Sequence, residues 1–135
     1  MPGHLRVVRD TALNDSDKTI TLDTGDLNRI LAIQVNLIST ATVGNRNLEI
    51  IVDDGTNELF RATAQAVQAA SLTRDYSWAP DGQDDAAFIN DALRIRIPNI
   101  WLPSGSRVRI FDFAAVDAAA DDMVVLILYE RNRPS

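Results

Sequence analysis

The chain is 135 residues long and carries a formal charge of −6, from nineteen acidic and thirteen basic residues. It has no cysteine and a single histidine, His4, so disulfides, thiolate catalysis, iron–sulfur or cysteine-type zinc sites and multi-histidine metal centres are excluded within one chain. The acidic balance argues against sequence-independent binding of nucleic acid, and no apolar run reaches the roughly eighteen residues of a membrane span.

One domain, 1–135, is expected at this length, with about two-thirds of the chain's surface buried. The opening MPGHLRVVRD lacks a charged segment followed by an apolar one, so it does not read as a secretory signal, and synthesis in a cytoplasm is expected. Residues 1–17 form a candidate N-terminal arm: Leu5, Val7 and Val8 lie among Arg6 and Arg9, followed by the polar loop 14–17. Such an arm adds a strand to a neighbouring sheet edge. The alternative for 5–9 is an ordinary edge strand of its own domain. A second weak strand is read at 18–22. From 31 to 37, Leu31, Ile33, Val35 and Leu37 alternate with Ala32, Gln34 and Asn36, the period of a half-buried strand. Residues 47–63 read as a hairpin around Asp53, Asp54 and Gly55. Strands follow at 72–78 and 93–97, the latter stopped by Pro98. Pro103, presetting φ, and Gly105, able to take the left-handed position, read as a type II turn before a strand at 107–113. The stretch 123–129 is apolar at every position and reads as a central strand covered on both faces. Between these, 81–91 reads as a short helix or an ordered loop. The alanine-rich stretches 62–70 and 114–120 read as subunit contacts, or as plain loops or single helical turns.

Eight or nine short strands with turn signals between them predict an all-β, antiparallel two-sheet sandwich or jelly roll with little helix. The excess of Asp over Glu, sixteen to three, agrees, because Asp favours turns and Glu helix interiors.

The Asp-rich loops lack the spacing of a calcium loop, and turn and cap use explains them better. Paired carboxylates suited to glycoside hydrolysis arise by chance in any chain with this many acids. No glycine-rich phosphate loop occurs. No catalytic residue, cofactor or metal is therefore expected. Tyr76 and Trp78 share a strand face and, with Trp101, are candidates for a glycan-stacking platform; the alternative is core packing. Arg94 and Arg96 lie on one face of their strand, and Arg107 and Arg109 on one face of theirs. If those strands pair, four guanidinium groups line one side of a sheet, as a contact surface. The alternative is the arginine bias of a GC-rich genome. Leu5, Arg6, Val7, Arg94, Arg96, Arg107 and Arg109 are thus the candidate interface residues.

Three stretches carry a resemblance: IQVNLISTATVGNRNLEII at 33–51, AVQAASLTRDYSWAP at 66–80, and LPSGSRVRIFDFAAVDAAADDM at 102–123, leading into VVLILYE. Their order, over about 30–130, is similar to that of small virion proteins of tailed bacteriophages from the head and neck gene region. The resemblance implies a non-enzymatic β-sandwich, a capsid decoration (cement) protein on the capsid exterior, made in the bacterial host's cytoplasm. Its implied partners are the major capsid protein and copies of itself, a homo-oligomer such as a trimer, with no nucleic acid and no membrane. A neck or tail ring component (stopper, terminator or fibre anchor) and a carbohydrate-binding adhesion module are the alternatives.

Overall fold

A computed structural model describes residues 4–132. The chain forms nine strands: β1 His4–Asp10, β2 Asp17–Thr21, β3 Leu27–Ile38, β4 Leu48–Asp53, β5 Glu58–Thr63, β6 Thr73–Ala79, β7 Ala92–Arg96, β8 Arg107–Asp112 and β9 Asp122–Asn132. There is no helix among the described residues, and residues 81–91 are loop and turn. Asp builds many of the turns. In four of them Asp10, Asp15, Asp53 and Asp112 accept the amide N–H two residues ahead, at Ala12, Asp17, Gly55 and Ala114.

The strands lie in two sheets, ordered β1-β9-β3-β6-β7 and β2-β8-β4-β5. All pairings are antiparallel except β6 with β7. Setting β7 aside, the pairs β4–β5, β3–β6, β2–β8 and β1–β9 nest inside one another along the chain. This is one long antiparallel ribbon rolled on itself, a jelly roll, with β7 added to one edge.

The core lies between the sheets. Ile33, Val35, Leu37, Tyr76, Trp78, Leu93, Ile95, Val125 and Ile127 face Leu48, Ile50, Val52, Val108 and Ile110. Tyr76 and Trp78 stack with centroids 5.9 Å apart, and Phe88 meets Tyr76 edge-on at 5.4 Å. The buried polar tips are satisfied: Trp78 Nε1 donates to Ala62 O and the Tyr76 hydroxyl to Gln68 Oε1.

Four expectations need correction. A register shift between Ile30 and Ala32 breaks the odd-position alternation in β3, so Ile30 is buried and Leu31 is not. Strand β9 lies between β1 and β3, but only one of its faces is fully buried: Val124, Leu126 and Leu128 point outward, partly exposed, because among the described residues no element packs over them. In the turn at 103–106, Ser106 N donates to Pro103 O and Gly105 takes φ +75°, so Pro103 stands one place earlier than a proline that presets the turn. Finally, β7 and β8 do not pair. They belong to different sheets, so Arg94 and Arg96 lie on the opposite side of the sandwich from Arg107 and Arg109.

Candidate interaction face

The two outer faces differ in kind. On the four-stranded sheet the register sets Asp17 and Thr19 beside Phe111 and Arg109, then Glu49 and Ile51, then Thr63 and Arg61. Ion pairs tie these strands together. Arg109 reaches Asp17 at 2.7 Å while its guanidinium lies 4.0 Å over the Phe111 ring. Arg107 reaches Asp53 at 2.9 Å, and Arg61 bridges Glu49 and Glu58. The bonded guanidinium of Arg107 holds the Asp53 carboxyl below its ordinary range.

The outer face of the five-stranded sheet grades from apolar to polar. Register places Val7 opposite Leu128, Leu5 opposite Glu130 and Arg9 opposite Leu126 on the same side. Leu5, Val7, Val124, Leu126 and Leu128 make an apolar stripe on β1 and β9, with Arg9 and Glu130 beside it. Leu5 is 68% exposed and Val7 46%. Across β3 and β6 the face turns to amides and hydroxyls. Gln34 donates to Ser77 and Asn36 to Asp75 across the strands. A shallow hollow of about 140 Å³ lies where the two zones meet, lined by Asn36, Asp75, Val124 and Leu126 among others. The outward residues of β9 are the site that sequence reading missed. Their signal was present, since a strand apolar at every position needs a cover on both faces, and the described residues supply only one.

The candidate arginines are engaged within the chain. Arg94 pairs with Asp85 at 3.0 Å, and Arg96 Nε donates to Gly82 O. Arg6, on the inner side of β1, pairs with Asp23 at 3.5 Å and is half-exposed. No single arginine face exists. The segment His4–Asp10 pairs along its whole length with β9 of the same chain, while residues 1–3 of the candidate arm lie outside the described residues.

The aromatic candidates separate. Tyr76 and Trp78 are 1% and 0% exposed, so neither offers a ring face to a glycan; they face inward on β6 as core. Burial also pushes the Tyr76 hydroxyl far above its ordinary pKa. Trp101 is 40% exposed, and the Arg29 guanidinium sits 4.9 Å over its ring. Arg29 also lines an open cleft of about 440 Å³ with Leu31, Asp81 and Asn99.

Where the loops gather, the stretches 33–51, 66–80 and 102–123 meet in one hydrogen-bonded knot. Arg46 is fully buried and uses all its donors. Its Nε and Nη2 bond the two Asp121 oxygens at 2.8 and 3.1 Å, its Nη1 bonds Thr42 O and Gly44 O, and Nη2 also reaches Thr40 Oγ1. Asp117 accepts from the Thr40 and Thr42 hydroxyls, and these bonds hold its carboxyl below the usual range. Arg46 and Gln68 exchange both backbone hydrogen bonds, and Gln68 Nε2 donates to Leu37 O and Leu72 O. Arg46, Gln68 and Asp121 are closed to solvent at its centre, while Thr42 lies exposed at its rim, an arrangement that suits shape-keeping. Among the described residues no group of three His, Cys, Asp or Glu is arranged to hold a metal, and no helix is long and apolar enough to cross a membrane.

No family model matches the chain and no curated protein matches it. Similar solved structures include an exo-beta-agarase (TM-score 0.39, 10% identity, 97% of this chain and 23% of that chain). Turnip yellow mosaic virus is another, with TM-score 0.35 and 8% identity over 99% of this chain and 82% of that chain. The VP2 subviral particle of infectious bursal disease virus is a third, with TM-score 0.34 and 14% identity over 97% of this chain and 38% of that chain. The chain thus spans under a quarter of the agarase, and likenesses at these scores assign it no role.

Proposed function

We propose that this chain is a non-enzymatic structural protein of a tailed-bacteriophage particle, a capsid decoration protein that binds the outside of the head. In that role it bridges major capsid subunits and associates with copies of itself. The observation that carries the reading is the uncovered stripe of Leu5, Val7, Val124, Leu126 and Leu128 on an otherwise firmly built sandwich. A stripe on a sheet is broad and shallow, the form of a protein contact rather than of a small-molecule pocket. The buried Arg46 knot supports a role that demands a fixed shape under load. The resemblance over 30–130 supports the virion setting. Jelly rolls also serve lectins and other proteins, so the fold alone does not decide.

The test is location and stoichiometry in purified particles encoded with this chain. A copy at every repeated site of the capsid lattice is expected, and heads lacking the chain should bind it again when it is added. Particles without the chain, or with it only in a single ring at the neck or tail, would overturn the decoration role; the second outcome would favour the ring reading. An adhesion module is the reading of a different class. The half-exposed Trp101 beside the Arg29 cleft is the one observation that favours it. Titration with host-surface glycans, read by Trp101 fluorescence against Trp101→Ala, separates it from the others.

A further inference from the structure

A sheet edge with unpaired backbone groups invites another strand, and proteins guard such edges. This sandwich guards three of its four. The edge of β7 is closed by acids: Asp85 N donates to Arg94 O, Asp85 Oδ2 accepts from Arg94 N at 3.0 Å, and Asp84 Oδ1 accepts from Arg96 N at 2.6 Å. The edge strand β5 carries the Glu58–Arg61 ion pair, faces a register shift at Val52/Asp53 and spends its Ala62 carbonyl on Trp78. Strand β2 is only five residues long, and Lys18 ties it to Asp10 and Ala12 O. Strand β1 has seven residues, and among the described residues no other element hydrogen-bonds to its edge away from β9.

We infer that β1 is a pairing edge for a second copy of this chain, the two β1 strands meeting antiparallel across a two-fold axis at Val7. The strand complements itself in that register. With Val7 opposite Val7, Leu5 faces Arg9, Arg6 faces Val8 and His4 faces Asp10, so no two like charges stand opposite one another. Val7 is the central residue of His4–Asp10, so this register alone pairs all seven residues. A shift of two one way sets Arg6 opposite Arg6, like charges that repel. A shift of two the other way leaves Leu5 and His4 beyond the partner strand. A one-residue slip is barred because it sets opposed faces together. The pairing joins two five-stranded sheets into one and makes the stripe of Leu5, Val7 and Leu128 continuous across both copies. The inference deepens the self-association in the proposed function, but it needs no particle for its test. Failure here leaves the decoration role to the particle experiment, and failure there leaves the dimer standing.

The test is sedimentation of the full chain and of two variants, Val7→Lys and Val7→Glu, alone and mixed one to one. The Val7 side chain is outward and exposed, and circular dichroism verifies that each variant is folded. A dimer is expected for the wild type, monomers for each variant alone, and a dimer again in the mixture, where Lys faces Glu. Hydrogen exchange of the unaltered chain gives a second reading: the β1 amides should gain protection as concentration rises. A monomeric or trimeric wild type, a dimer that survives Val7→Lys, a mixture that stays monomeric, or β1 amides indifferent to concentration would each overturn the two-fold pairing.

Discussion

Arg46 is the residue whose place in the molecule is hardest to foresee. Nothing near it in the chain distinguishes it from the exposed arginines. A guanidinium is buried only where five donors meet acceptors, and here the acceptors come from Asp121, far along the chain, and from the local carbonyls of Thr42 and Gly44. Replacing it by Met leaves Asp121 buried with Thr40 N as its remaining amide donor. Arg46→Met is expected to lower unfolding free energy by about 3–5 kcal/mol in urea, with Arg46→Met/Asp121→Leu recovering part of the loss. The same link sets a second contrast. Gly44 takes φ +145°, and a Cβ placed there would meet Val116 Cγ1 at 2.8 Å, whereas Gly55 at φ +99° has open space around it. Gly44→Ala should therefore cost about 1–3 kcal/mol through both strain and crowding, and Gly55→Ala about 1 kcal/mol through strain alone. Equal shifts in the two urea midpoints would contradict the crowding.

Strands were legible because alternation is a local property. The spans around Ile33–Leu37, the 47–63 hairpin and the strand after Pro103 needed only the period of two and the turn residues beside them. Sheet membership was not legible, because it depends on the order in which distant strands close. This is why the four arginines, which would share a face only if their strands paired, are split between Arg94 and Arg96 on β7 and Arg107 and Arg109 on β8. The local bulge at Ile30/Ala32 likewise moved Leu31 out of the buried row. What the arginines do became clear only at the level of elements. Arg94 and Arg96 find Asp85 and the Gly82 carbonyl in the loop before β7, while Arg107 and Arg109 find Asp53 on β4 and Asp17 on β2, so Asp and Arg meet within the chain. The β7 edge gives the sharpest test. Asp85→Ala removes the acceptor of Arg94 N, and Asp84→Ala that of Arg96 N. In hydrogen exchange those two amides should lose protection in the matching variant, while the β6 amides keep theirs. Unchanged exchange at Arg94 and Arg96 would mean that the loop does not cover the edge.

Charge also sets how the whole molecule responds to acid. The carboxyls of Asp10, Asp53, Asp85 and Asp117 are held below their ordinary value of 3.8, chiefly by bonds from Lys18, Arg107, Arg94 and Thr40 respectively. A depressed folded pKa adds stability above the unfolded value and loses it as pH falls through the folded one. Thermal unfolding should thus be level in pH from neutrality to about 4 and fall below it. A midpoint that rises below pH 4 would contradict the sign. The nested ribbon has a temporal consequence as well. Chains leave the ribosome from the N-terminal side, and the partner of β1 is β9, the last strand of the roll. While synthesis proceeds β1 is therefore an orphan, and its valines are offered to every nascent chain nearby. That wait ends only when β9 arrives, so a chain halted late in synthesis leaves both edges of β1 open rather than the outer one alone.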